Sequence, residues 1–314
     1  MSRVGVLVNP TAGHGRGEAG GREVLGLLGR SGHEILDLSG RDAVDALARV
    51  RRSLWELDAV VAVGGDGMAH LGVNAVAGTT TPLGIVPVGS GNDLARNLGL
   101  SVHDVSRAVA DVLDGLGRPP RLLDVIGTQV HLPDGESQAA QTGIEWTACV
   151  LSAGFDAAVN HRANSFRWPR GGGRYVRGVL GELATFRPYG YRITIDGTPR
   201  ELPATLVALA NATSFGGGMR IAPGARPDDG LMDVVIGHAM GRGALLRLFP
   251  KVYSGRHVES DRVEIVRARE VVLEAWSGAA TPPPVYADGE LLGRLPLRAR
   301  VRPGGLRLLA PAQP

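Results

Sequence analysis

Apolar positions in the first 125 residues follow two alternating rhythms. Short continuous runs at residues 4–8, 35–38, 59–63 and 83–86 have the length and β-branched content of buried strands. Between and after them, residues 18–30, 42–52, 68–77 and 102–116 carry apolar side chains at helical spacing. Strand and helix in alternation predict an α/β domain built on a parallel sheet, with its ligand loops at the carboxyl ends of the strands. After Pro119-Pro120 the rhythm changes. Segments 146–151, 191–195, 205–210, 232–236, 262–266, 271–274 and 297–301 alternate between turn residues, so a mostly β region follows, interrupted by helical stretches near 157–187 and 241–253. The expected division is 1–123 for the α/β domain and 124–302 for the β-rich domain, with the apolar tail at 303–314 a candidate strand of the first. Residues 134–143 and 279–284 read as surface loops.

Composition narrows the field. The chain has 314 residues and is 44% hydrophobic, enough for two domains with real cores, and no apolar run reaches the length of a membrane span. With no basic-then-apolar leader before the first strand, a cytoplasmic protein is expected. The single Cys149 lies in an apolar stretch, which excludes an internal disulfide or a cysteine zinc site and reads as a small core residue. A formal charge of +3 is too mild to imply nucleic acid, and no nucleic-acid motif is present.

Candidate chemistry sits at the predicted strand ends. Ala62-Val-Gly-Gly-Asp-Gly-Met68 and Val86-Pro-Val-Gly-Ser-Gly-Asn-Asp-Leu-Ala-Arg96 each read as a buried strand running into a glycine turn with one carboxylate. Glycine admits positive φ and close approach of a ligand, and helix-start amides attract anions, so two such turns side by side suggest a polyphosphate site. Alone, Gly64-Gly65-Asp66-Gly67 is also compatible with a plain strand-to-helix turn. The turn after strand one, Val8-Asn-Pro-Thr-Ala-Gly13, lacks the spacing and the lysine of a P-loop, and Gly13-His-Gly15-Arg-Gly17 misses the dinucleotide fingerprint.

These motifs, together with Ser152-Ala-Gly-Phe-Asp156, Pro227-Asp-Asp-Gly-Leu-Met-Asp233 and Asp288-Gly-Glu290, resemble in order and over essentially the whole chain the soluble lipid kinases with a diacylglycerol-kinase catalytic domain. That family includes sphingosine and ceramide kinases and is distantly related to NAD kinases and phosphofructokinases, so the resemblance implies an NAD kinase-like α/β domain followed by a β sandwich. It implies ATP bound by Gly64, Gly65, Asp66, Gly67, Met68, His70, Gly89, Ser90, Asn92 and Ser39, with Asn9 and Gly13 lining the phosphates. Family members usually carry Thr and Asn where this chain has Met68 and His70. The resemblance further implies that Asp66 and Asp93 serve the Mg-ATP side and that a second, structural magnesium is held by the Asp229 carboxylate and the main-chain carbonyls of Arg226 and Leu231. Glu290 is the first choice as general base, with Asp288 the runner-up. Without the resemblance, Asp288-Gly289 reads as a type I′ hairpin turn, and the Asp-Asp-Gly loop as a surface turn.

Residues 161–192 carry Arg162, Arg167, Arg170, Arg174, Arg177, Arg187 and Arg192 interleaved with Phe166, Trp168, Tyr175, Phe186, Tyr189 and Tyr191. Such a mixture suits an anionic membrane surface, or a solvated basic face with its aromatics in the core. The expectation is therefore a peripheral membrane enzyme that phosphorylates diacylglycerol to phosphatidic acid, its lipid entering between the lobes. A kinase of another lipid alcohol, such as a sphingoid base or ceramide, or of a soluble nucleotide such as NAD, and an inactive lipid or nucleotide sensor remain alternatives, and a homodimer is open.

Overall fold

Two runs of residues account for the sheet that carries the glycine turns: the opening of the chain and a short piece near its end. The computed structural model describes residues 1–8, 16–130, 143–166 and 172–311, and, for residues 16–19 and 172–176, the backbone alone. Met1–Val125, Pro227–Asp229 and Arg302–Pro314 form one unit, and Ile126–Arg226 with Gly230–Val301 form the other.

In the first unit the chain runs β1 (Arg3–Val8), α1 (Arg16–Gly29), β2 (Glu34–Asp37), α2 (Ala43–Ser53), β3 (Ala59–Gly64), α3 (Asp66–Val76), β4 (Leu83–Pro87), α4 (Asp93–Asn97) and α5 (Val105–Leu116). β1 pairs in parallel with both β2 and β3, and β3 pairs with β4. Every residue of β3 and β4 is buried, as their unbroken apolar runs require of strands covered on both faces. Val6, Val61, Val63 and Val86 pack with Val24 and Leu28 of α1 and Val109 and Val112 of α5. Asp42 and Asp104 cap α2 and α5 by accepting the amides three residues on. The chain moves from β1 to β2 on one side and to β3 on the other, so a switch point of strand order lies beside β1, where α/β sheets open a ligand crevice.

β5 (Arg121–Val130) carries the chain across the unit boundary. It is a ten-residue strand that runs through the expected division at 123/124; Pro119-Pro120 only precedes it, and proline is tolerated just before a strand begins.

The second unit continues with β6 (Glu145–Thr147), β7 (Val150–Gly154), α6 (Phe155–Ser165), α7 (Gly172–Thr185), β8 (Tyr189–Ile195), β9 (Thr198–Ala210) and β10 (Met232–His238). There follow α8 (Arg242–Leu248), α9 (Lys251–Ser254), β11 (Val263–Ala268), β12 (Glu270–Ala275), β13 (Val285–Ala287), β14 (Glu290–Gly293) and β15 (Leu297–Leu308), whose last residues return to the first unit. The pairings among β7 to β14 are antiparallel. β9 changes partners along its length: residues 198–204 pair with β8, and residues 206–210 pair with β7. A strand shared in this way lets the sheet fold over itself as a sandwich, around Tyr191, Ile193, Val207, Leu209, Val234, Ile236 and Leu273, all fully buried.

Candidate functional site

The two glycine turns of the first unit are built into each other. Gly65 caps α3, and the Met68 and Ala69 amides return to its carbonyl. The Asp66 carboxylate reaches the neighbouring turn and accepts the Asn92 amide at 3.0 Å and the Asp93 amide at 2.5 Å. The opening amides of α4 are therefore bound to a carboxylate of the protein itself. Asn92, buried and in the left-handed region at φ 56°, closes the second turn: its side-chain Nδ2 donates to the Gly89 carbonyl at 2.8 Å, and its Oδ1 accepts the Gly89 amide at 3.2 Å. No side chain fits at the two turn glycines. A Cβ at Gly89 would lie 2.5 Å from the Gly65 Cα, and one at Gly91 would meet the Asp66 carboxylate.

What remains outward is polar. Ser90 and Gly67 are exposed, and Asp66 and Asp93 are half-buried. Ser39, beyond β2, accepts the Val8 amide at 2.9 Å through its hydroxyl and so ties the ends of β1 and β2. Met68 is buried and folded over Gly64, where any side chain would collide with it. His70 is buried one turn on. Asn74 Nδ2 donates to the His70 carbonyl at 3.1 Å and lies 3.2 Å from Nε2, so the ring accepts there and carries its proton on Nδ1 when neutral. Gly64, Gly65, Asp66, Gly67, Gly89, Ser90, Asn92 and Asp93 thus come together at the ends of β3 and β4. Asn9 and Gly13 lie outside the described residues.

In the second unit the acidic hairpin joins β13 to β14, with Ala287 facing Glu290. Asp288 and Gly289 both take positive φ, 50° and 93°, the two-residue type I′ turn that Asp-Gly favours. The Asp288 carboxylate accepts three amides, from Ala148, Cys149 and Val150, at 2.8–3.0 Å. Those residues are buried, so the carboxylate satisfies donors that would otherwise lack acceptors. Glu290 is exposed at the start of β14, and Asn160 of α6 donates to the Gly289 carbonyl at 3.2 Å. Of the two acids, Glu290 has the accessible carboxylate. Cys149 is a buried core residue.

Sequence reasoning assigned no role to three features. Asp124 is buried, accepts the Gly304 amide at 2.8 Å through its side chain, and donates its own amide to the Pro227 carbonyl at 2.7 Å. It thereby anchors the start of the 227–229 segment in the first unit. Within the second unit a pocket of about 600 Å³, its mouth included, is lined by Phe155, Phe215, Val235, Met240, Leu245 and Phe249 among other apolar side chains. Asp156 and His257 also line it, and Asp156 Oδ1 and His257 Nδ1 are buried with no hydrogen-bond partner among the described residues. Burial pushes the Asp156 carboxyl above its ordinary range, opposed by the Ser152 hydroxyl and the Ala157 amide. Burial pushes the His257 imidazole down, opposed by the Ile221 carbonyl 3.0 Å from Nε2.

Arg226, Asp229 and Leu231 lie on the turn before β10, in which Gly230 has φ 75°. Arg226 is exposed, and Asp229 and Leu231 are half-buried. Among the described residues no group of three or more His, Cys, Asp or Glu side chains could hold a metal ion by itself.

The basic and aromatic stretch divides between core and surface. Phe186, Tyr189 and Tyr191 are buried, and the Tyr191 hydroxyl donates to the Ala153 carbonyl. Arg162 pairs with Glu182 and Arg192 with Glu201, while Arg177 stacks over Phe166 at 4.3 Å. Arg167, Trp168 and Arg170, and the side chains of Arg174 and Tyr175, lie outside the described residues. Among the described residues, no helix is long and apolar enough to cross a membrane.

Comparison with known proteins follows the same two-part division. The family described as "Diacylglycerol kinase catalytic domain" matches residues 3–125, and "YegS C-terminal NAD kinase beta sandwich-like domain" matches residues 149–310. The chain is 37% identical to a "Diacylglycerol kinase" of Mycobacterium tuberculosis, over 99% of this chain and 96% of that one. It is 30% identical to a "Probable lipid kinase YegS-like" of Chromohalobacter salexigens, over 92% and 88%. A crystal structure of a diacylglycerol kinase from Bacillus anthracis shares the fold at a TM-score of 0.67 and 18% identity, covering 98% of this chain and 97% of that one.

Proposed function

The chain belongs to the diacylglycerol kinase family of ATP-dependent lipid phosphotransferases, and from that membership we propose that it moves the γ-phosphoryl group of ATP to the hydroxyl of diacylglycerol, giving phosphatidic acid. The observation that carries the lipid reading is the pocket of the second unit. Its walls are aromatic and aliphatic side chains, a lining that suits hydrocarbon better than a nucleotide such as NAD.

The paired turns of the first unit take the triphosphate, with Ser90, the α3 amides and the Ser39 end of β2 as donors, and Asp66 and Asp93 take the metal side. Magnesium is usually held by one or two carboxylates together with phosphate oxygens, which fits the paired turns with Asp66 and Asp93. When bound it offsets the charge of the phosphates. Asp229, with the carbonyls of Arg226 and Leu231, is an all-oxygen set suited to a second hard cation. Glu290 accepts the proton of the lipid hydroxyl as its oxygen bonds to phosphorus and ADP leaves. Asp288, bound to three amides, positions the hairpin that presents Glu290. Peripheral attachment to the membrane follows from a substrate that stays in a bilayer.

The test is transfer of labelled γ-phosphate into mixed micelles of diacylglycerol, sphingosine or ceramide, with NAD as the soluble control. Label in phosphatidic acid alone is expected. Label in NAD, or in a sphingolipid in preference to diacylglycerol, overturns the substrate assignment.

A further inference from the structure

Helix α2 turns Ala46 and Val50 inward and leaves an uncommon set of side chains outside. Val44 is 79% exposed, and Trp55, in the short 3-10 turn that continues the helix, is 83% exposed. Positions 44, 48, 51 and 55 stand at i, i+4, i+7 and i+11, which aligns them along one stripe of a helix. Ala48 and Arg51 on that stripe, and Arg52 at its flank, are also exposed. A single exposed apolar residue needs no explanation. Tryptophan and valine in line, with arginines between them, have the composition of a helix that lies in a membrane interface.

The charges around the stripe point the same way. Asp42 caps the helix, Asp45 is bound by Arg41 and Arg49, and Glu56 is bound by Arg3. Arg51 and Arg52 have no ion pair among the described residues. The outer face is therefore positive, with its neighbouring acids already engaged. A second copy docked across a two-fold axis would bring this basic stripe against itself, which like charges oppose. An anionic lipid surface meets the arginines and accepts an indole at the level of its headgroups.

We propose that the outer face of α2 and the turn after it is a membrane-docking surface, in which Trp55 and Val44 enter the headgroup region of an anionic bilayer while Arg51 and Arg52 engage lipid phosphates. The proposal draws on the lipid-kinase reading only in that an enzyme whose substrate remains in a bilayer must work at its surface.

The test uses the full chain without nucleotide, cosedimented with vesicles of phosphatidylcholine alone or with phosphatidylglycerol added. Binding to the anionic vesicles is expected, with quenching of tryptophan emission by brominated lipid chains. That quenching should be largely absent in Trp55→Ala. Trp55→Ala and the double variant Arg51→Glu/Arg52→Glu should each lower the bound fraction about tenfold. These side chains are exposed, so unchanged thermal melts are expected to accompany the loss. Cosedimentation equal to wild type, quenching retained in Trp55→Ala, or a dimer that Trp55→Ala dissociates overturns the proposal. Kinase activity of the same variants toward short-chain diacylglycerol in solution should match wild type. If no form of the protein phosphorylates any lipid, the kinase reading fails, and the vesicle result still decides the docking surface.

Discussion

Asp66 and Asp288 do the same physical work at very different distances along the chain. Each is the aspartate of a short glycine motif, and each binds backbone amides with its carboxylate. Asp66 takes amides 26 and 27 residues ahead, in the next strand-to-helix turn of a parallel sheet. Asp288 takes amides 138 to 140 residues behind, because β13 pairs beside β7. In both places the named acid builds the turn and a neighbouring polar residue faces outward: Ser90 in the first unit, Glu290 in the second. The difference lies in what each carboxylate can still do. Asp66 is half-buried beside Asp93 and has the proposed role toward metal and phosphate open to it, whereas Asp288 is committed to three buried donors.

Substitutions can break that comparison. The largest effect is expected for Asp66→Ala, which removes a turn acceptor and a proposed metal-side carboxylate together. Activity should fall on the order of a thousandfold, with a stability loss of about 1–3 kcal/mol. Initial rates and thermal melts of one preparation measure both. The hairpin should separate what Asp66 combines. Glu290→Gln is expected to lower kcat by about a hundredfold or more with an unchanged melt; a wild-type kcat would place the base elsewhere. Asp288→Ala strands three buried amides and should cost about 3 kcal/mol, read by urea unfolding. If it melts like wild type, the parallel with Asp66 fails.

A smaller effect is expected for Met68→Thr. It uncovers Gly64 and should cost about 1–3 kcal/mol while leaving the KM for ATP unchanged, because the side chain at this position turns onto Gly64. The smallest effect concerns the pocket's polar pair. Asp156 has its folded pKa raised, so the native state holds the proton more tightly and stability falls as pH rises above the ordinary aspartate value of 3.8. Asp156→Asn should therefore raise the melting temperature by a few degrees at alkaline pH and little in acid. His257 has its folded pKa lowered, so its contribution is complete above the ordinary value of 6.5 and is lost as pH falls below it. His257→Gln should flatten that acid limb.

The first unit was largely legible in the sequence because its signals are local. The runs at 59–63 and 83–86 became β3 and β4, and the glycine turns beyond them came together as parallel-strand neighbours. Asn92 was visible as a polar turn residue, but its service to the Gly89 backbone depends on a left-handed conformation that no composition reveals. The second unit was legible as strands and obscure as a site. Phe155, Phe215, Val235, Met240 and Phe249 meet around one pocket, yet each reads in sequence only as a core residue. The alternation of arginine and aromatics after His161 carried two meanings, and for Phe186, Tyr189 and Tyr191 packing chose the interior. The strand β5 was missed because it straddles the expected division at 123/124, and no strand was read between Pro119-Pro120 and residue 146.

The parallel sheet that carries the glycine turns takes Leu308 of β15 beside Leu83 of β4, with the Leu309 amide donating to the Leu83 carbonyl. The first unit thus waits for residues that follow the whole second unit. A chain emerging from the ribosome exposes the flank of β4 for the time it takes to synthesise some 200 further residues, about 10–40 s at ordinary elongation rates. Throughout that interval the unit that carries the paired glycine turns lacks its closing strand. Its birth is tied to completion of its neighbour, and a nonsense codon late in the reading frame would damage the earliest-made part of the protein.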